Sequence, residues 1–215
     1  MALAVDATSK GYNSDAGTTL TVPHTCSGSN RVLVVTAACQ KETSVTGITY
    51  NGVAMTLVNS YLTSTYNKLY SYILVAPATG THDIVLTVAN GGKFRGLIAA
   101  SYTGAAQSGQ PDANNTNHTP SATSLTTSVT TVADNSWLIL GGFNENYDIA
   151  AGTDTTVRET LFGNFKLFDS NGAKSPPGSY SLQTTVSPAD EIIHVMLSIA
   201  PYVAPAAGKS QGIII

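Results

Sequence analysis

Two stretches decide the fold: Asn30-Arg-Val-Leu-Val-Val-Thr-Ala-Ala-Cys39 and Asn135-Ser-Trp-Leu-Ile-Leu140. Each is an apolar run of strand length launched from a turn residue. Such runs are shorter than a helix needs and rich in β-branched residues. A matching block precedes each, Thr18-Thr-Leu-Thr-Val-Pro23 before the first and Ser124-Leu-Thr-Thr-Ser-Val129 before the second. The echo continues downstream. Gly80-Thr-His-Asp-Ile-Val-Leu-Thr-Val88 and Gly96-Leu-Ile-Ala-Ala-Ser-Tyr102 are answered by Pro177-Gly-Ser-Tyr-Ser-Leu-Gln-Thr-Thr-Val186 and Glu191-Ile-Ile-His-Val-Met-Leu-Ser-Ile199. Order and spacing are kept over a period of about 105 residues, longer than the 20–50 of a solenoid.

Turn signals separate the runs. Asn51-Gly52 stands between Gly47–Tyr50 and Val53–Val58. It is the strongest short-range hairpin signal, because a type I′ turn needs positive φ at both central residues. No helical stripe competes. The expected fold is all-β, a two-sheet antiparallel sandwich or jelly roll formed from two sequence-related halves. The halves, about 15–106 and 121–202, are expected to share one core in a single domain spanning 1–202. Residues 107–120, rich in Asn, Gly and Pro, read as an exposed connector. Residues 203–215 read as a C-terminal tail or assembly arm, because Pro201 and Pro205 oppose continued strand pairing.

Composition narrows the function. Of 215 residues only 11% are charged, and the net charge is -3. Lys and Arg are scattered, so the basic footprint that nucleic acid or an anionic membrane requires is missing. The start, Met1 to Asp6, lacks the basic and apolar regions of a signal peptide. No apolar stretch is long enough to span a bilayer as a helix. Cys26 and Cys39 do not make a disulfide framework.

A search for chemistry yields candidates without a catalytic constellation. His24, His82, His118 and His194 are isolated, and the four glutamates are solitary in sequence. His194 alternates with apolar residues and reads as a structural histidine facing away from Ile193 and Val195. Asp112, Asn114, Asn115 and Asn117 could offer oxygen to a cation, yet fit ordinary turn chemistry better. No metal, cofactor or catalytic residue is expected. Tyr61, Tyr66, Tyr70 and Tyr72 lie close in sequence. Tyr70 and Tyr72 share a strand face and are the candidates for glycan stacking, the alternative being cross-strand packing. Trp137 reads as core. Ile213, Ile214 and Ile215 are the candidate partner-binding residues, since each side chain gains roughly 1.5–3 kcal/mol on burial.

Ser27-Gly-Ser-Asn-Arg-Val-Leu-Val-Val35, Val45-Thr-Gly-Ile-Thr-Tyr-Asn-Gly-Val-Ala-Met-Thr-Leu57, Tyr72-Ile-Leu-Val-Ala-Pro-Ala-Thr-Gly-Thr-His82 and Ala99-Ala-Ser-Tyr-Thr-Gly104 together resemble a group of β-sandwich proteins of tailed bacteriophages and some bacteria. Ala133-Asp-Asn-Ser-Trp-Leu138 and the closing Ile192 to Pro201 fit the same pattern. The resemblance covers roughly residues 15–202. It implies a virion-located structural protein: capsid decoration, or a head, neck or tail accessory. Its partners would be other virion proteins, such as the major capsid protein or neck and tail proteins, and further copies of itself. The resemblance carries over no catalytic residues.

Overall fold

The computed structural model describes residues 2–62 and 67–204. Tyr66 and the three terminal isoleucines, Ile213, Ile214 and Ile215, lie outside the described residues. The described chain is all-β and antiparallel, with three hydrogen-bonded sheets.

The first half contains β1 (Ala4–Asn13), β2 (Thr19–Cys26), β3 (Val32–Gln40), β4 (Val45–Tyr50), β5 (Val53–Ala54), β6 (Thr56–Leu62), β7 (Asn67–Val75), β8 (Gly80–Val88) and β9 (Arg95–Thr103). One sheet runs β1-β9-β3-β7-β6, and the facing sheet runs β2-β8-β4-β5. Alternation between the two sheets along the chain is a jelly roll. Between them lies a core that includes Leu33, Val35, Tyr50, Tyr72, Ile84, Leu86 and Leu97. The Asn51-Gly52 turn is as expected, with φ of 49° and 74°, and pairs Tyr50 with Val53.

The second half contains β10 (Ala113–Thr130), β11 (Trp137–Asn144), β12 (Ala150–Ala151), β13 (Thr156–Phe162), β14 (Phe165–Asp169) and β15 (Ser179–Ile199). Its order, β10-β15-β11-β14-β13, repeats that of the first half's five-stranded sheet. Here two long strands each do the work of two. The β10–β15 ladder slips between Thr119 and Ser124, where β10 and β15 carry Pro120 and Pro188 respectively. Beyond the bend, Ser124–Thr130 and Ser179–Thr185 turn over with β12 to cover the second core, which includes Leu125, Leu140, Phe168, Leu182 and Met196. Proline tolerates this place because a bend breaks the ladder anyway. Asn115 and Asn117 tie the fold-over by donating to the carbonyls of Ser128 and Thr126, at 2.9 and 2.8 Å.

Each half is a whole sandwich with its own core rather than half of a shared one. A third core, with Val34, Ile98, Tyr102, Ile139, Phe165, Val195 and Leu197, joins them where the two five-stranded layers meet. The result is four layers. Every residue of Val32–Cys39 is buried, because β3 packs on both faces. The expected connector 107–120 is also shorter than read. From Ala113 it is strand, with Ala113–Thr119 pairing Ser198–Ile192. Asn and Pro suggested a loop, but an edge strand with one solvated side accepts them.

The seam between the jelly rolls has a pseudo-two-fold character. Matching strands by sheet order, β1 lies against β13 and its counterpart β10 lies against β6, the counterpart of β13. Glu159 on β13 accepts from Thr8 of β1 at 2.8 Å, while Asn59 of β6 approaches Asn114 of β10 at 3.4 Å. At the centre Thr36 of β3 packs on Gly141 of β11, where a Cβ would come within 2.3 Å of the Thr36 methyl. Thr36 and Gly141 occupy equivalent positions, so the halves meet as two copies would across an isologous interface.

Candidate functional site at the ends of the seam

The two jelly rolls run in the same direction, and the seam opens at both ends. At the lower end, where β3 and β11 begin, lies a groove of about 640 Å³. Trp137 lines it with Leu3, Pro201 and Val203, and Asp134, Asn135 and Tyr202 add polar groups to the lining. Arg158 lies over the indole at 5.8 Å, and Tyr102 of the first half meets it edge-on at 6.0 Å. Below, Arg158 Nε donates to the buried Asp169 carboxylate at 2.5 Å, and Tyr102 Oη donates to the same oxygen at 3.2 Å. Burial and the Asp169 charge both raise the Tyr102 phenol well above its usual range. The chain leaves through this groove. Pro201 bridges to Ala105, Tyr202 N–H donates to Gly104 O at 2.7 Å, and Val203 is 79% exposed.

The upper end holds a cleft of about 420 Å³ lined by Gln40, Asn67, Phe94, Phe143, Glu145, Phe162 and Asn164. Phe162 stands between Phe94 and Tyr12, with ring centroids 6.1 and 4.7 Å away. Counting from the turn residues Asn30 and Asn135, Gln40 and Glu145 hold equivalent positions facing each other across the seam. Gln40 Oε1 accepts from Phe94 N–H at 3.1 Å. Asn67 Nδ2 donates to the Glu145 carboxylate, and Asn164 Nδ2 donates to Glu145 O at 3.1 Å. Burial raises the Glu145 pKa. The Asn67 hydrogen bond opposes that rise, and the charges of Glu191 and Asp190 add to it.

No known protein family, curated protein or solved structure matches this chain.

Several residues singled out from sequence have other roles. Tyr70 and Tyr72 do share a face, but it is the one packed into the first core. They are 6% and 5% exposed and cannot present a stacking platform to a glycan. Tyr61 stacks on His118 at 4.9 Å, inside the seam. Trp137 is only partly buried, because the seam core ends beside it. Asp112 accepts from Val132 and Ala133 N–H, at 2.9 Å each, and from Ser136 and Ser198 hydroxyls, so it organises a loop. Cys26 and Cys39 are buried free thiols. His194 faces away from Ile193 and Val195, and both ring nitrogens are bonded, to Thr127 and Thr184 at 2.8 Å each. Sequence reading missed the seam ends altogether. Glu145 and Phe162 come from different loops and strands, and only the stacking of the halves brings them near Gln40 and Phe94.

Proposed function

We propose that this protein is a structural component of a tailed-bacteriophage particle that acts by binding other proteins, as a capsid decoration or a head, neck or tail accessory. One observation carries the reading. The seam locks two jelly rolls into one body, and the C-terminal segment leaves it beside a largely apolar groove at Trp137. A rigid body with an apolar arm suits an assembly role, because rigid surfaces bind without a large ordering cost. The segment that follows Ala204 carries Ile213, Ile214 and Ile215, whose burial against a neighbour would be favourable.

The test is to delete Gly208–Ile215 and compare the full and shortened chains. The readouts are sedimentation of the purified protein and recovery in purified particles. The expected result is that the full chain co-purifies with particles and the shortened chain does not. Equal recovery would remove the arm from the reading, and absence of the full chain from particles would remove the reading itself.

A further inference from the structure

We propose that the upper cleft of the seam binds a primary ammonium group on an aliphatic stem, the side chain of a lysine presented by a partner protein. The choice of a protein as the source rests on the binding role proposed above. The ligand chemistry rests on the cleft alone.

Three observations select a cation. First, the walls are the rings of Phe94, Phe143 and Phe162, with Tyr12 adjoining Phe162. Aromatic faces attract an ammonium through the ring quadrupole and shelter its methylene stem. Second, the cleft presents a carboxylate. Asn67 donates to one oxygen of the Glu145 carboxylate and Asn164 donates to the Glu145 backbone carbonyl, so carboxylate lone pairs remain to meet a ligand. A carboxylate accepts and does not donate, which suits an ammonium with three donors and no acceptor. Third, the neighbouring charges that act on Glu145 are acidic. Glu191 and Asp190 both disfavour the ionised form of Glu145, and a bound cation relieves that repulsion. An anion would add to it, and a neutral apolar group would leave it unchanged.

The internal duplication sharpens the point. The equivalent of Glu145 in the first half is the neutral Gln40, on the opposite wall of the same cleft. The charge therefore belongs to one side of a pseudo-symmetric opening rather than to the fold. The cleft volume of about 420 Å³ is within the range of small-ligand pockets and lies at an interface between packed units, where such sites concentrate.

The experiment titrates the full chain with N-acetyl-lysine methylamide and, separately, with the isostere in which the ε-ammonium is a hydroxyl. Both titrations are followed by NMR shifts and by calorimetry. The lysine derivative is expected to bind saturably and the hydroxyl isostere at least about tenfold more weakly, the scale of a hydrogen bond to a charged group. Glu145→Gln recreates the Gln40 side chain and keeps an acceptor for Asn67. It should weaken lysine binding by a similar factor at an unchanged melting temperature. Phe162→Ala should weaken the lysine derivative while leaving any electrostatic preference for it intact. Equal binding of the two probes, or lysine binding indifferent to Glu145→Gln, overturns the proposal. A chain that binds lysine yet never enters particles leaves the cleft standing and removes the assembly role. The reverse result does the opposite.

Discussion

The two jelly rolls share strand order, pairing register and turn geometry, yet they solve one piece of core in opposite ways. Asn30 and Asn135 both open their central strands at positive φ, 53° and 59°. Counting from them, Ala37 corresponds to Gly142, and their neighbours across the sheet are Leu97 and His194. In the facing layers, Val22 and Leu86 correspond to Thr127 and Thr184 by the same register. The first core thus holds an apolar trio, Val22, Leu86 and Leu97. The second holds Thr127, Thr184 and His194, all but fully buried, with one imidazole bridging two hydroxyls. The same backbone accepts an apolar trio or a fully satisfied polar one. A mixture is what it should reject, because a buried polar group without a partner keeps its whole desolvation cost.

The strongest way to break this comparison is to mix the trios. Leu97→His puts an imidazole in the first core beside Val22 and Leu86, without the threonine pair that its counterpart His194 bonds. It should destabilise the protein by about 4 kcal/mol in urea titration. His194→Leu leaves two buried hydroxyls unpaired and should cost roughly 2–3 kcal/mol. The triple change Thr127→Val, Thr184→Leu, His194→Leu imports the first half's trio whole. It should lie within about 1 kcal/mol of the starting protein, since replacing all partners together leaves none stranded. A triple variant no better than His194→Leu would show that the halves are not interchangeable here.

Acid gives a second contrast. Burial lowers the His194 pKa from 6.5 to about 3, and burial also lowers that of His24 to about 4 against the opposing Asp6 charge. Below pH 6.5 the unfolded chain takes up protons that the folded chain refuses. Stability contributed by the neutral rings is therefore complete above that pH and falls as pH drops toward 4. The slope is about 1.4 kcal/mol per pH unit for each ring. The triple variant keeps only the His24 share, so its stability between pH 6 and 4 should fall about half as steeply for these two groups. Equal slopes would mean that His194 is not held neutral. His24 is also the less comfortable of the two. Nδ1 meets Ser9 Oγ at 2.9 Å, while its buried Nε2 has no partner among the described residues.

A more modest loss than that of the mixed trios concerns the turns. Asn30→Ala and Asn135→Ala should each cost roughly 1–2 kcal/mol, because a β-carbon disfavours left-handed backbone and asparagine tolerates it. Glycine at either place should cost less. Unequal losses at the two positions would show that the repeat is looser in its turns than in its strands.

Some of this was legible in the residues. Apolar runs with Asn and Gly boundaries carry short-range information, so the strands, the Asn51-Gly52 hairpin and the tandem halves could be read directly. Pro120 marked a real discontinuity, but a bend in a strand and the end of a loop leave the same local signal. Period two says that Tyr70 and Tyr72 share a face, and it is silent on whether that face meets water or another sheet.

What the chain determined alone is its alternation, its turns and its duplication, because those depend on neighbours a few residues apart. What tertiary structure decided is which faces meet: four layers instead of two, the seam that buries both sides of β3, and the cleft that sets Glu145 opposite Gln40. Those outcomes follow from packing between residues separated by about a hundred positions, where no local pattern records the partner.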